Sequence, residues 1–289
     1  MLKMLLLVLL MAPFAGAQSL PAKWEELTAE DFVSALARAG GVCVLPFGII
    51  EKHGPSGPLG TDLINIRATV VKATEQEYAV IFPEYYFGQI FEATHQPGTI
   101  AYSTRLQEQM MQETVSEMAR NGCKKIVVAN GHGGNTAFLS YFLQTQLETP
   151  RDYVVYGYSG IGNAPDVPAA ARPTKPGADG HAGEGEVAMV MGTRPELGHP
   201  DRGGRESGAN LRRLDLPQGV ATGINWYSMY PNHYAGDASG ATAARGQAML
   251  EAAAARLAAA LRAIKADQIS LRLQNEFFGL QSHPLDTRQ

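Results

Sequence analysis

Cysteine is nearly missing from this sequence: two of 289 residues, Cys43 and Cys123. Two thiols cannot supply a cysteine-based zinc site. Each stands in or beside an apolar run, so two buried, unpaired thiols are the expectation, although export would permit a disulfide. Clusters of Lys and Arg are missing too. The formal net charge is −4 and no basic run occurs, which excludes the electrostatic footprint of a nucleic-acid partner. No block of like charge marks a disordered tail. Beyond the N-terminus no apolar segment has the length of a membrane span. No internal repeat occurs, and the glycine spacing at 130–135 matches neither a P-loop nor a dinucleotide fingerprint.

What is present begins with a targeting segment. Lys3 supplies a positive start, residues 4–12 are apolar, and Ala15-Gly16-Ala17 fits the small-residue cleavage rule. Cleavage is expected before Gln18, with 1–17 a signal peptide and 18–289 a single domain. The mature chain is then expected in the periplasm or outside the cell, with no membrane span left. At 45% hydrophobic and 18% charged, it can bury the core of one large α/β domain.

Apolar periodicity sets the expected elements. Thr28 caps a helix over 31–39, with Phe32, Leu36 and Ala39 inward, and Gly40-Gly41 ends it. Strands are expected at 42–50, 79–82, 126–129 and 153–158. Helices are expected at 63–78, 105–120, 138–147, 184–191 and 241–266, the third-listed of these strands lying between the second and third helices. In the helix at 105–120 the candidate core positions are Leu106, Met110, Val115 and Met118. Stretches 165–180 and 198–208 read as loops. Strands alternating with helices imply βαβ units and a mostly parallel sheet covered on both faces.

Ligands bind at the carboxyl ends of strands in such sheets, and polar clusters follow two of the strands. The first contains Glu51 and His53, two apart and so on one face of an extended strand end, then Asp62 after a Gly/Pro-rich loop. The second is Asn130-Gly131-His132-Gly133-Gly134-Asn135. Carboxylate with imidazole is a donor set for zinc or manganese, and the two oxygens of Asp62 allow it to bridge two ions. A third cluster, Asp179 to Glu186, precedes an apolar helix. There Glu184 and Glu186 read equally as an acidic helix start that complements the dipole or as a further ligand beside an acid/base histidine.

Together the three clusters resemble the creatininase, or creatinine amidohydrolase, family. The resemblance is carried by Glu51-Lys52-His53-Gly54-Pro55 with Leu59-Gly60-Thr61-Asp62, by Asn130 to Asn135, and by His181-Ala182-Gly183-Glu184-Gly185-Glu186. It runs from about Trp24 to the Ala-rich C-terminal helix, and the segment 236–246 also fits. It implies a three-layer α/β/α sandwich with a mostly parallel central sheet and two divalent ions, zinc or manganese. The implied ligands are Glu51, His53, Asp62 as the bridge, and His132. Creatininase proper has a Glu two residues after the second-motif His; here Gly134 stands there, and Glu186 is the implied fifth ligand, with Glu184 as the alternative. His181 and Glu184 are the implied catalytic groups. Creatininase proper also has a Trp shortly before the third-motif His, where this sequence reads Lys175-Pro176-Gly177-Ala178.

The resemblance therefore implies a reaction class rather than creatinine as substrate: an exported metal-dependent amidohydrolase acting on a small cyclic or linear amide. A divalent ion gives a hydroxide near neutral pH, metal charge stabilises the oxyanion, and His181 protonates the leaving nitrogen. Formamides and small peptides are alternative substrates within the family, and a non-catalytic exported metal- or ligand-binding protein is the alternative from another class. A homo-oligomer, with a hexamer as the family form, is also implied. Of the remaining histidines, His95 is a candidate substrate contact, whereas His199, His233 and His283 match no motif and read as surface or core. Trp226, Tyr227, Tyr230 and Tyr234 read as packing or a subunit contact, and Arg202, Arg205, Arg212 and Arg213 as a solvated loop.

Overall fold

The structure is a computed structural model, and it describes residues 20–160, 168–286 and 288. The expected signal segment 1–17 and residues 165–167 of the first expected loop lie outside the described residues.

The Thr28 hydroxyl accepts from Asp31 N at 3.1 Å, and helix α1 (Ala29–Arg38) starts at that cap. Strand β1 (Val42–Phe47) follows and is buried throughout. It is shorter than expected because its next donors leave the ladder: Gly48 N bonds Tyr85 O, and Glu51 N bonds Leu59 O. Then come α2 (Thr61–Gln76), β2 (Val80–Ile81), α3 (Thr104–Arg120), β3 (Lys125–Asn130), α4 (Asn135–Thr145), β4 (Val154–Tyr158) and α5 (Glu184–Thr193). The chain ends through α6 (Asn225–Met229), α7 (Ala243–Ala266) and α8 (Ser270–Gln281). Single 3-10 turns at Ala169–Ala171 and Pro200–Arg205 interrupt the two stretches expected as loops.

The four strands lie in the order β2-β1-β3-β4, all parallel. Alternation along the central strands divides the core into two layers. Cys43, Leu45, Phe47, Ile126 and Val128 pack with Ala35, Met111, Val115, Met118, Leu139 and Phe142, which come from α1, α3 and α4. Val42, Val44, Val127 and Ala129 face the other way, onto Ile66 and Val70 of α2 and Ala254, Leu257 and Leu261 of α7. The fold is thus a three-layer α/β/α sandwich. Each such aliphatic side chain contributes roughly 1.5–3 kcal/mol by leaving water. Among the described residues no helix is long and apolar enough to cross a membrane.

Two expectations need correction. The buried stripe of α3 is Gln107, Met111, Val115 and Met118, while Leu106 is 38% exposed. The first turn is shifted by one position because Gln107 turns inward to donate to Tyr102 O at 2.6 Å. Second, Cys43 and Cys123 are joined in a disulfide, with Cα atoms 5.8 Å apart. β1 and β3 are hydrogen-bonded neighbours, and the turn before β3 brings Cys123 onto the face of Cys43, within bridging reach. The bond closes a sequence separation of 80. Replacing both residues with Ala is expected to cost about 2–4 kcal/mol of unfolding free energy, read as a lower urea midpoint. An unchanged midpoint under non-reducing conditions would contradict it.

Candidate metal centre

The register pairs Phe47 with Asn130, so the segments leaving β1 and β3 emerge side by side at the carboxyl edge of the sheet. Three more features bring the side chains together. The N-terminus of α2 packs hard against the exit of β1: a Cβ on Gly48 would stand 2.8 Å from Leu63 N, so a side chain there would push away the turn that carries Asp62. The Asn130 side chain clamps the second turn, accepting from His132 N at 3.1 Å and donating to His132 O at 2.8 Å. Ala182, with φ of 60°, adopts a left-handed conformation uncommon for a residue with a Cβ. Its N–H donates to Glu186 Oε2 at 2.6 Å, which ties the third cluster to the first turn of α5.

Glu51, His53, Asp62 and His132 converge at the sheet edge, buried to 9% exposure or less. His132 Nδ1 lies 3.0 Å from Glu51 Oε1 and 3.1 Å from Asp62 Oδ2. His53 Nε2 lies 3.3 Å from Asp62 Oδ1 and 3.6 Å from Glu186 Oε2. Asp62 therefore stands in the middle, with one oxygen towards each imidazole. His181 Nδ1 approaches Glu51 Oε1 at 3.8 Å. Three overlapping groups have the closeness a cation needs: Glu51, Asp62 and His132; His53, Asp62 and Glu186; and Glu51, His53 and His181.

Hydrogen bonds on the far sides of the rings set which nitrogen faces the cluster. His53 Nδ1 is 3.2 Å from Glu51 O, and His181 Nε2 is 2.9 Å from Lys52 O. A carbonyl only accepts, so each of those nitrogens carries the proton. The second nitrogens, His53 Nε2 and His181 Nδ1, face inward; that of His181 carries a lone pair, and that of His53 offers one to a cation once its proton is displaced. Glu51 Oε1, His53 Nε2 and Asp62 Oδ2 are buried and make no well-directed hydrogen bond. Orphaned buried acceptors are costly, and a bound cation satisfies all three. The donor set therefore fits a divalent metal.

Charge reinforces that reading. Burial opposes ionisation of Glu51, but the surrounding imidazoles hold its carboxyl well below the usual carboxylate range. Burial would lower His53, yet Asp62, Glu51 and Glu186 raise it to about 10. His132 is likewise raised, against burial, by Glu51 and Asp62. Protonated imidazoles are the counterions these carboxylates attract. Burial pushes His181 down to about 3, so it stays neutral. Burial also pushes Glu186 up, although 39% of its side chain is open to the cleft and solvent blunts that shift.

The structure treats the other residues singled out above differently. Glu184 does not face the cluster. Its carboxylate accepts from Thr174 N and Oγ1, at 3.0 and 2.7 Å for Oε2, and pairs with Arg245 at 3.2 Å. At 0% exposure it is committed to holding the chain before α5 against α7, which corrects its assignment as a catalytic group. Glu184→Gln is expected to cost roughly 2–4 kcal/mol of stability while leaving bound metal unchanged. Metal lost from a still-folded variant would contradict that. His95 bonds Pro231 O at 2.7 Å and packs edge-on against Tyr227, outside the cluster. Tyr234 is buried, and its hydroxyl accepts from Ala238 N. Arg213 bonds Ser228 O and lies over the Tyr227 ring.

Two residues at the centre were not legible in the motifs. His233 is 2% exposed and reaches Glu51 Oε2 at 2.5 Å. Trp226 donates its indole N–H to His233 Nδ1 at 2.9 Å and meets the His181 ring edge-on at 5.8 Å. Trp226 lies on the short helix α6 and His233 in the turn beyond it, forty residues or more past the end of the third motif. The only signal was the aromatic density of residues 226–234 beside a histidine.

The profile of the creatininase family, described as creatinine amidohydrolase, matches residues 25–261. The chain belongs to the creatininase family. Among its relatives it is 27% identical to creatinine amidohydrolase of Pseudomonas putida over 119 residues, 39% of this chain and 46% of that one. It is 29% identical to the mycofactocin precursor peptide peptidase of Mycolicibacterium smegmatis over 160 residues, 53% of this chain and 58% of that one. Both matches span less than two thirds of the relative's length. A solved creatinine amidohydrolase superposes with a TM-score of 0.71 at 21% identity, covering 86% of this chain and 99% of that one. At that identity the likeness is one of fold. Other creatininase structures of similar likeness are a manganese form (TM-score 0.69, 21% identity, 85% of this chain and 99% of that one) and a zinc–zinc form (TM-score 0.70, 21% identity, the same coverage).

Proposed function

We propose that this chain is an exported metal-dependent amidohydrolase that holds two divalent cations and hydrolyses the C–N bond of a small cyclic or linear amide. The observation that carries the reading is the convergence of orphaned, inward-facing donors from three separate segments. Glu51, Asp62 and His132 would hold one cation; His53, Asp62 and Glu186 would hold the other. The two oxygens of Asp62 face different imidazoles, which suits a bridging ligand. Oxygen and imidazole nitrogen suit zinc or manganese, the metals of the solved relatives named above. Export is supported by the character of residues 1–17 and by the disulfide, which persists in oxidising compartments. Family membership supports a homo-oligomer, a hexamer by the family form.

Bound cations supply the Lewis acidity that polarises an amide carbonyl and acidifies water near neutral pH. The chain's own groups position and move protons. His181 has its Nε2 proton engaged by Lys52 O, so it starts as a base. Its Nδ1 lone pair faces the cleft, where it can orient the attacking water and pass a proton transiently towards the leaving nitrogen without resting as an imidazolium. The half-buried Trp226 walls the cleft beside His181 and limits water there.

A second reading, hydrolysis of a small peptide, is favoured by the peptidase relatives. One of them, from Mycobacterium tuberculosis, is 28% identical over 219 residues, covering 72% of this chain and 80% of that one. One experiment separates the readings. The mature protein, loaded with zinc or manganese, is assayed on creatinine, lactams, formamides and short peptides before and after chelation. Hydrolysis of a non-peptide amide that is lost on chelation and restored by metal is expected. Turnover of the peptides alone would move the assignment to a peptidase. Metal binding without hydrolysis would leave a binding protein.

A further inference from the structure

His233 and Trp226 belong to none of the three motifs, and the reaction outlined above gives His233 no part. Yet His233 makes a short contact to a proposed ligand. We propose that Trp226 and His233 form a positioning relay that holds Glu51 with Oε1 alone turned towards the cations. The inference rests on the metal-binding reading above.

The two oxygens of Glu51 have different surroundings. Oε1 lies 3.0 Å from His132 Nδ1 and 3.8 Å from His181 Nδ1, and it has no well-directed hydrogen bond. Oε2 lies 2.5 Å from His233 Nε2. The direction of that bond is set one residue further out. An indole N–H can only donate, and Trp226 Nε1 is 2.9 Å from His233 Nδ1. His233 Nδ1 therefore carries a lone pair, and its ring proton sits on Nε2, where it is donated to Glu51. The donors run one way, from indole to imidazole to carboxylate. A carboxylate without this partner can rotate and offer either oxygen or both. With it, Oε2 is occupied and a single oxygen remains for the centre.

The surroundings keep the relay in place. His233 is 2% exposed and has φ of 53°, in the left-handed region where residues with a Cβ are uncommon. Its ring lies against His181, centroids 4.3 Å apart. Trp226 is braced by Tyr230 at 4.8 Å and by the edge of His181. Among the described residues Glu51 is the carboxylate that His233 contacts. Partners that orient a ligand in this way are worth about 10–100-fold in metal affinity in other centres.

Metal affinity of the full chain, measured by competition with a chelator for zinc and for manganese, tests the relay. His233→Asn keeps a residue that tolerates the left-handed conformation but is too short to reach Glu51, and about a 10–100-fold weaker affinity is expected. His233→Gln places an amide N–H where Nε2 stands and is expected to recover part of that loss. Trp226→Phe keeps an aromatic ring but removes the N–H. Its affinity is expected to fall, and 15N spectra of His233 are expected to lose the single Nε2–H tautomer seen in the parent. Melting of the metal-free variants is followed alongside. Affinities for His233→Asn and Trp226→Phe within about twofold of the parent would overturn the relay, being far below the effect of an orienting partner. So would affinity losses that only track lost metal-free stability, with no recovery by Gln. A parent protein that binds no divalent cation would overturn the metal-binding reading itself.

Discussion

Asp62→Asn is expected to lower kcat/KM by about 10^3-fold, equivalent to ~4 kcal/mol of barrier, and to reduce the metal content per chain. Asn has nearly the shape of Asp but no net charge, and it can offer only one oxygen. Asp62 stands between the two imidazoles, 3.3 Å from His53 and 3.1 Å from His132, so the change touches both halves of the centre at once. That separates it from a change at Glu186, which lies on one side and keeps part of its carboxylate open to the cleft. His132→Ala is expected to behave like Asp62→Asn. Metal analysis and steady-state kinetics on each folded variant check this. Retained stoichiometry with full turnover in Asp62→Asn would contradict the bridging assignment.

The second large effect is on metal binding as a function of pH. In the metal-free chain, His53 is raised to about 10 and His132 is also raised, so both are protonated at neutral pH. A cation needs their lone pairs and must displace those protons. Apparent affinity is therefore expected to rise with pH, about tenfold per unit for each proton displaced and about a hundredfold if both leave. The stability of the metal-free chain has the opposite sign. His53 has a folded pKa above its unfolded value of about 6.5, so its contribution is full below that value. It is lost as pH climbs towards 10. The gap in melting temperature between loaded and metal-free protein is expected to widen as pH rises. Calorimetric titration in buffers of different ionisation enthalpy counts the protons released. A count near zero at neutral pH would contradict the charge arrangement.

Much of the fold was legible because the signals were local. Thr28 capped α1 within two residues of the expected start, and the short apolar runs of β1 and β3, bounded by Gly and rich in Val and Ile, read as buried strands. Glu51, His53, Asp62 and His132 could be singled out because each lies within about fifteen residues of the end of a strand. What was not legible depended on contacts across the fold. The first turn of α3 is turned by Gln107, whose partner is a loop carbonyl that no periodicity reveals. The disulfide required knowing that β1 and β3 are neighbours. Glu184 and Glu186 are two apart at the head of one helix and no spacing rule separates them. The structure does so, because Arg245 and Thr174 engage the first and the centre faces the second. His233 and Trp226 reach the centre from a stretch with little regular structure, where a histidine in sequence looks like any other.

The departure at Gly134 also gains a physical basis. With the His132 ring placed as it is, a Cβ at that position would meet His132 Nε2, so a side chain there would require the ring to move, and the proposed further carboxylate is Glu186 on α5. Where creatininase proper carries a Trp before the third motif, this chain brings an indole to the same histidine from α6.

The most direct test of this account is the metal content of the purified mature protein, measured by mass spectrometry against protein concentration. Two zinc or manganese ions per chain are expected, removable by chelation and restored on readdition. A chain that retains no divalent metal after purification, and takes up none when it is supplied at neutral pH, would contradict it.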